Sequence, residues 1–419
     1  MADIISGNSR FNGNKSSSGK NVIKLPGAVN EEYKEIVGRQ TDEKIKEHRK
    51  RMLIIAIASV AVVIIAAIII YNSLDGITYS DYSIVSSVNR DDTESASYIE
   101  YEGGYIRYSD DGIAYFDSSN TSIWNQTYSM QKPQVKMCGD CIAVGDINGS
   151  KIYIFNKSGM LGSVDASLSI SQIEVGKQGV VAAVLEDNAA NYINLYDATG
   201  NKIYSVKTTL KGDGYPLDIS ISDDATKLMA SYLYVSGETM KTNVVFYNFS
   251  DVGQNETERV VGGFNNYDST IVGDVQFMND NKAVAVGENI VSIYSIKEYP
   301  SLSKEIPIDN AIERVFFSGD NIGLVLKNSD SGDIYKLVVY NLSGNKVCEH
   351  TFNTEYDTIR FDGKSVVFSN GSTFAVMNLK GKVLATQNSE LTIDTILSTG
   401  KRGRYILINS KYIQNIKLR

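Results

Sequence analysis

Five acidic side chains occupy a similar place in successive stretches of the chain, just before or within a short apolar segment. They are Asp218, Asp274, Glu313, Asp357 and Asp394. If the segments are equivalent strands of a ring-shaped fold, the carboxylates surround one mouth of its central channel. Such a mouth would be a negative funnel that attracts cations or basic peptides. Alternatively, each acid caps its own loop through an Asx turn. These residues form the candidate ligand-binding site, and both interpretations remain open.

Cys138 and Cys141 are separated only by Gly139 and Asp140, between two apolar segments. Gly-Asp is typical of a two-residue hairpin turn, which makes the cysteines cross-strand neighbours close enough for a disulfide. They are therefore reduced structural thiols, a possible structural disulfide, or a functional pair. A redox pair usually lies at a helix N-terminus, where its pKa is lowered, and the strand context argues against that role.

Metal and cofactor chemistry has little support in the sequence. Histidine occurs only at His48 and His350, which is too few for a histidine-rich zinc site. The oxygen-rich fragments 146–149 and 187–188 do not continue into the ligand set of a calcium loop. We predict no metal site and no cofactor. Paired-carboxylate hydrolysis remains an alternative, because spacing between repeats is not visible in a sequence.

The elements that would position these groups form a repeat. A short apolar strand that ends in an aromatic or long residue, followed by Asn or Asp and a small turn, recurs along the chain. The equivalent positions are Phe116, Phe155, Tyr196, Tyr247, Tyr294, Tyr340, Met377 and Gln414. A period of roughly 40–50 residues with several short strands per unit is typical of a β-propeller blade. We predict an all-β, eight-bladed β-propeller at residues 77–419, with a seven-bladed ring as the alternative.

The last repeat has room for only three strands before the C-terminus. Residues 77–88 are expected to supply its outer strand and so to close the ring without leaving an open sheet edge. One complete blade is expected to consist of strands at 357–361, 365–369, 374–378 and 382–386, separated by Asp, Asn and Gly turns.

The N-terminal part predicts a membrane protein. Residues 53–71 are apolar apart from Ser59, and as a helix they span about 28 Å, close to the hydrocarbon thickness of a bilayer. Basic residues crowd the N-terminal flank of this segment: Lys44, Lys46, Arg49, Lys50 and Arg51. The positive-inside rule then predicts a single-pass signal anchor in the cell membrane, with a cytoplasmic N-terminus and an extracytoplasmic propeller. We predict a disordered cytoplasmic tail at 1–30 and a juxtamembrane helix at 31–52.

Charge divides the chain in the same way. Residues 1–71 carry a net charge of +4 and the remainder carries −12, which together give −8. An acidic extracytoplasmic domain argues against a nucleic-acid partner.

The segment 193–204, INLYDATGNKIY, resembles the repeat of pyrroloquinoline-quinone-type propellers, and 337–348 and 374–385 are looser copies. The whole arrangement also resembles an uncharacterised family of membrane-anchored propellers from Gram-positive bacteria. These resemblances imply the fold and no activity. Quinoprotein repeats usually close with a tryptophan that docks the next blade, whereas Tyr204, Cys348 and Ala385 stand here. The adjacent-cysteine disulfide that flanks the quinone in those enzymes is also absent.

Together these features predict a non-catalytic, membrane-anchored extracytoplasmic propeller that binds a protein or a cell-envelope component as a scaffold or sensor. The alternative is an extracytoplasmic enzyme, either a quinoprotein-like oxidoreductase or a polysaccharide-active hydrolase. A signalling role for the cytoplasmic tail is a third possibility.

Overall fold

The structure is a computed structural model that describes residues 31–74, 76–92, 95–267, 270–329 and 332–419. The chain divides into two compact units after Leu74. The first unit is helical, and the second consists of antiparallel four-stranded sheets.

The helical unit is α1 (Glu31–Leu74), so the predicted segments 31–52 and 53–71 belong to one helix. Side chains are described for Arg39 and for residues 45–66, and all of these are exposed. Within the described part of the chain, no helix is apolar over a stretch long enough to cross a membrane. The predicted disordered tail at 1–30 lies outside the described residues.

The second unit is an eight-bladed propeller, as predicted, with four strands in each blade. Blade 8 is composite: its outer strand is β1 (Tyr82–Asn89), which comes first in the chain. Blade 1 contains β2 (Ser97–Tyr101), β3 (Gly104–Tyr108), β4 (Gly112–Phe116) and β5 (Ser122–Thr127). Blade 2 contains β6 (Pro133–Cys138), β7 (Cys141–Asp146), β8 (Lys151–Asn156) and β9 (Gly159–Asp165). Blade 3 contains β10 (Ser169–Val175), β11 (Val181–Glu186), β12 (Ala190–Tyr196) and β13 (Lys202–Thr209).

Blade 4 contains β14 (Tyr215–Ile221), β15 (Lys227–Ser236), β16 (Thr239–Asn248) and β17 (Val260–Tyr267), with two 3₁₀ turns (Asp251–Asn255 and Thr257–Arg259) before β17. Blade 5 contains β18 (Val272–Asn279), β19 (Lys282–Gly287), β20 (Ile290–Ile296) and β21 (Pro300–Pro307). Blade 6 contains β22 (Ile312–Phe317), β23 (Asn321–Lys327), β24 (Tyr335–Asn341) and β25 (Lys346–Phe352). Blade 7 contains β26 (Thr358–Asp362), β27 (Ser365–Ser369), β28 (Thr373–Asn378) and β29 (Val383–Asn388). The remaining strands of blade 8 are β30 (Ile393–Ser398), β31 (Arg404–Asn409) and β32 (Tyr412–Leu418).

The core lies between the blades, around their second and third strands. Strand β7 is buried along its whole length, and β11 is buried except for its last residue. These strands are short apolar runs without alternation because both of their faces are covered by neighbouring blades. The β-branched residues that dominate them also suit a pleated, packed surface.

The predicted repeat residues all lie in the third strand of their blades, but one of them has the wrong register. Its side chain stands opposite the start of the second strand, as Tyr196 stands opposite Val181 and Tyr294 opposite Ala283. In blade 8 the residue with this register is Ile416, opposite Tyr405, so the assignment of Gln414 was wrong by two residues. The final strand lacks the Asn or Asp turn that follows most of the other copies, and this is why the sequence misplaced it.

Tryptophan docking, expected to be lost, occurs once. The Trp124 ring of blade 1 stacks on the Phe155 ring of blade 2, with centroids 5.1 Å apart and planes 8° apart. In blade 3, Tyr204 packs on Phe249 of blade 4 with centroids 5.4 Å apart. Different aromatic residues therefore cover the same type of junction between blades.

The predicted ring closure is confirmed. Strand β1 pairs antiparallel with β32, from Tyr82 opposite Leu418 to Asn89 opposite Tyr412. The strand begins five residues later than predicted. The preceding segment contacts blade 7 instead, where the Tyr79 amide donates to the Leu384 carbonyl at 2.7 Å.

Antiparallel connections give the propeller two faces. The upper face carries the loops between blades and those between second and third strands, and the lower face carries the others. The first strand of each blade runs from the upper to the lower face, so the predicted acidic residues lie towards the upper mouth. Residues 76–81 lie on the lower face, since β1 starts beside the end of β32.

Candidate functional site

The first strands of the blades line the central channel, and their register decides which side chains face it. Ile219 and Val275 are buried in the core, so the residues on either side of them turn towards the channel. The first residues to do so in blades 2 to 7 are Gln134, Gln172, Asp218, Asp274, Arg314 and Thr358. The next residues in register are Lys136, Glu174, Ser220, Gln276, Phe316 and Arg360, of which Ser220 is buried and Phe316 packs on Phe361 of blade 7.

The five predicted acids occupy two register positions. Asp218 and Asp274 belong to the first channel-facing layer, opposite Ser231 and Val286. Glu313, Asp357 and Asp394 stand one residue earlier. Glu313 and Asp394 are the extra residues of a bulge, and Asp357 precedes its strand. A bulge re-aims a side chain and ends regular pairing, so the structure brings the first two acids into one layer and sets the other three nearer the upper loops.

Asp218 and Asp274 share a charged cluster with two residues that the sequence did not single out. Lys136 forms an ion pair with Glu174, and its ammonium group also attracts both aspartates. Burial alone would lower the pKa of Lys136, but the surrounding carboxylates together raise it. We call Lys136, Glu174, Asp218 and Asp274 the acidic cluster. With one cation among three carboxyl groups, it is acidic when fully ionised.

The carboxyl groups of this cluster titrate at higher pH than usual. Burial raises the pKa of Asp218 to about 7, although the Val275 amide and Lys136 favour its ionised form. Burial also raises the pKa of Glu174 and of Asp274, and Lys136 opposes both shifts. Asp274 is the more exposed aspartate. The cluster can therefore gain or lose a proton near neutral pH while it presents a carboxylate to solvent.

The other three predicted acids have different surroundings. Asp394 pairs with Arg90, whose Nε also lies 2.7 Å from Asp92, so two carboxylates share this guanidinium. The Arg314 guanidinium donates to the Asp357 backbone carbonyl. Glu313 and the Asp357 side chain are exposed and form no ion pair among the described residues.

A second charged group lies lower in the channel, at blades 7, 8 and 1. Burial lowers the pKa of Arg360, while Glu100 and Asp362 favour its charged form. Burial raises the pKa of Glu100 despite Arg360. The Ser398 hydroxyl donates to Asp362 at 2.6 Å, and the Ser398 amide donates to Glu100 at 3.2 Å. We call Glu100, Arg360 and Asp362 the arginine cluster.

Cys138 and Cys141 are cross-strand partners at the predicted hairpin turn. Both are free thiols, so the possible disulfide is not formed in this structure. The Cys138 thiol donates to Asp223 Oδ1 at 3.4 Å, and the Cys141 thiol donates to the Lys177 carbonyl at 3.1 Å. Burial and then the Asp223 charge raise the pKa of Cys138 to about 12, which is opposite to the shift that a reactive cysteine needs.

The carboxylate of the oxygen-rich fragment at 146–149 holds the loop that leads into blade 2. Asp146 Oδ1 accepts the amide hydrogens of Gln131 and Lys132 at 2.9 Å each. Across the described ranges, no group of three or more His, Cys, Asp or Glu side chains is arranged to hold a metal ion.

Four charged residues of these clusters were not predicted from the sequence: Lys136, Glu174, Glu100 and Arg360. Each interrupts an apolar strand with a single charge, as in Val135-Lys136-Met137 and Ile359-Arg360-Phe361. A single charge between apolar neighbours in the first strand of a blade was the available signal, because alternate residues of that strand face the channel.

The chain belongs to a family of unknown function, DUF5711, whose family model matches residues 75–418. No curated protein matches the chain. Among solved structures, Sqt1 from Chaetomium thermophilum is similar at 11% identity and a TM-score of 0.53, over 82% of this chain and 98% of that one. BamB from Moraxella catarrhalis is similar at 10% identity and a TM-score of 0.51, over 81% and 100%. Sqt1 bound to the N-terminus of the ribosomal protein L10 gives 11% identity and a TM-score of 0.50, over 78% and 100%. At these identities the likeness shows the fold alone.

Proposed function

We propose that this member of DUF5711 is a non-catalytic, membrane-anchored extracytoplasmic propeller. In this proposal it binds a basic segment of a protein or cell-envelope component at its upper mouth, as a scaffold or sensor.

The observation that carries the proposal is the set of carboxylates at the upper mouth without paired cations. Asp274, Glu313 and Asp357 have exposed side chains there, and none forms an ion pair among the described residues. Arg314 is the nearby counter-charge, and the propeller as a whole is acidic. Carboxylates around one opening focus a negative potential, which favours a Lys- or Arg-rich segment.

The anchoring rests on the sequence and on the exposed helix. The leucine, isoleucine and valine side chains described between Leu53 and Ile65 are each more than half exposed, and apolar surface of this extent calls for an apolar covering. The apolar run continues to residue 71, beyond the described side chains. The basic flank at residues 44–51 supports an inside N-terminus.

The similarly folded Sqt1 is known bound to the N-terminus of a ribosomal protein. A propeller of this fold can therefore bind a chain terminus. We propose that the upper mouth of this protein binds a peptide segment in the same way. Function belongs to the site rather than to the fold, so the mouth carboxylates have to be tested directly.

The test is crosslinking and co-purification of the full-length protein from its own membranes. The variant D274N/E313Q/D357N removes the mouth charges, and E102Q/E298Q/D320N removes three exposed acids from the lower face. We expect the mouth variant alone to lose the crosslinked partner, and binding by the wild type to weaken as salt rises, since screening acts over about 8–10 Å. Equal partner recovery with both variants would refute the mouth as the binding site. A metal ion or quinone that raised the melting temperature would instead favour the enzyme alternative.

A further inference from the structure

A cavity of about 340 Å³ lies at the seam where the ring closes, between blade 8 and blade 1. Its walls come from the bulge of β1, from the lower loop of blade 8 and from the lower loop of blade 1 that contains Ser118 and Ser119. This volume is at the lower end of the range of roughly 300–1,000 Å³ typical of small-molecule sites.

The charged side chains that line this seam cavity are Lys401 and Arg404. Both are exposed, and neither forms an ion pair among the described residues. Many other cations of the propeller are matched, for example Lys177 with Asp223 at 2.7 Å and Lys151 with Asp165 at 2.6 Å. Two unmatched cations in one cavity of an acidic domain leave a local positive charge that the protein does not neutralise.

The loop that carries the two cations has a defined conformation. Gly400 and Gly403 have φ angles of 69° and 63°, which glycine adopts without strain. The Arg404 amide donates to the Lys401 carbonyl at 3.0 Å. The turn therefore holds the two residues on one side of the cavity.

The opposite wall supplies hydroxyl groups. Ser118 and Ser119 are exposed at the cavity, and their loop is fixed because the Asp117 carboxylate accepts the amides of Ser119 and Thr121 at 2.8 and 2.9 Å. The carboxylate that precedes Ser118 in the chain is thus occupied by its own loop. Asn415 Nδ2 joins the two walls by donating to the Ser118 carbonyl and to Ser86 Oγ, at 3.0 Å each, and the Ser86 hydroxyl keeps its own hydrogen to donate.

We infer that the seam cavity binds a phosphate group. Arg404 supplies a planar set of donors suited to two phosphate oxygens, and Lys401 supplies a second charge. The hydroxyls of Ser86, Ser118 and Ser119 donate to the remaining oxygens. No carboxylate among the lining residues opposes an anion.

Two sources could deliver this phosphate, a free phosphate compound or an anionic lipid headgroup. The cavity opens among lower-face loops, the face on which residues 76–81 lie. Lys382 Nζ donates to the Gly76 carbonyl at 2.7 Å there. The lipid source rests on the proposed membrane anchoring, whereas phosphate binding itself does not.

The test uses the full-length protein in an uncharged detergent. Titrations with inorganic phosphate, with glycerol phosphate and with short-chain phosphatidylglycerol are followed by calorimetry at constant ionic strength. K401Q/R404Q removes the cavity charges, and K157Q/K297Q removes two exposed cations from other lower-face loops. We expect the wild type and K157Q/K297Q to bind with a dissociation constant on the order of 1 mM or tighter, and K401Q/R404Q to bind roughly tenfold or more weakly.

If phosphatidylglycerol binds with a much higher affinity than inorganic phosphate, and this binding also depends on Lys401 and Arg404, the lipid is the source. Similar affinities for all three probes would assign a free phosphate compound. No saturable binding, or binding that K401Q/R404Q leaves unchanged, would refute the site, provided that this variant melts at the wild-type temperature. Partner recovery through the upper mouth is measured separately, so failure of one proposal does not imply failure of the other.

Discussion

The Asp218 carboxylate of blade 4 accepts a hydrogen bond from the Val275 amide of blade 5 at 2.8 Å. The side chain therefore neither caps its own loop nor stands free in the channel. It joins two first strands that contact each other directly, and Ser220 repeats the connection by accepting the Phe277 amide at 2.8 Å. In this part of the ring the channel-facing polar residues also hold blades together.

The first prediction concerns the pH dependence of stability. Burial raises the pKa of Asp218 to about 7, so the folded protein binds this proton more tightly than the unfolded chain, whose aspartates titrate near 4. The contribution of Asp218 to the free energy of unfolding therefore falls as pH rises between about 4 and 7. Asp218→Asn keeps an acceptor for the Val275 amide without a charge. It is expected to stabilise the protein at pH 8 by roughly 1–3 kcal/mol and to change little near pH 4.

Thermal unfolding of Asp218→Asn across this pH range checks the expectation. Asp320→Asn, at an exposed lower-face aspartate, is the matched control and is expected to leave the profile unchanged. An equal loss of melting temperature at pH 4 and pH 8 would mean that the residue acts only through packing.

The second prediction concerns ring closure. A chain that starts at Arg90 lacks β1 and exposes the edge of β32. It also loses the contact of the Tyr82 ring with Phe374, whose centroids are 5.7 Å apart. We expect its melting temperature to fall by roughly 10 °C or more relative to a chain that starts at Gly76. A chain that starts at Asp81 keeps β1 but loses the hydrogen bond from the Tyr79 amide to the Leu384 carbonyl. Its melting temperature is therefore expected to lie between those of the other two chains. Equal melting temperatures would contradict a structural role for the closing strand.

The repeat determined how far the sequence could predict this structure. Blade number, the four-strand pattern and the composite last blade follow from the periodic aromatic and turn residues. The strands of blade 7 were placed within two residues, for example 382–386 against Val383–Asn388. Ring closure is visible in the sequence because a missing strand has to be supplied by the other end of the domain.

The charged clusters were not predictable in the same way. Asp218 and Asp274 meet Lys136 only because the first strands of different blades converge on one channel, and the bulges there change the register by one residue. Neither the convergence nor a one-residue shift can be read from spacing along the chain. The seam cavity likewise combines residues that are about three hundred positions apart, such as Asn415 and Ser118.

The third prediction concerns the cysteine pair. Since a thiol reacts as its thiolate and the pKa of Cys138 is raised to about 12, native Cys138 is expected to react with a disulfide reagent at pH 8 at least about a hundredfold more slowly than in denaturing urea. The measurement is the reaction rate in a C141S/C348S background. Asp223→Asn removes the nearby charge and is expected to speed the native reaction, whereas Asp320→Asn is not. If the wild-type protein lacks two reactive thiols and regains them after treatment with a reductant, Cys138 and Cys141 form a disulfide instead.

The last prediction separates charge from packing in the arginine cluster. Arg360 Nη2 is buried without a hydrogen-bond partner, and burial already lowers the pKa of this arginine. Arg360→Met leaves the buried Glu100 and Asp362 without the nearby cation that favours their charged forms, so the variant is expected to lose roughly 1–3 kcal/mol of stability. This loss is expected to grow as pH rises, because the pKa of Glu100, already raised by burial, rises further without Arg360. R360M/E100Q removes both charges and is expected to recover much of the stability.

Chemical denaturation of the wild type and the R360M, E100Q and R360M/E100Q variants at pH 5 and pH 8 gives the coupling between the two residues. If the single losses simply add in the double variant, Arg360 acts through its packed side chain and its charge is not needed.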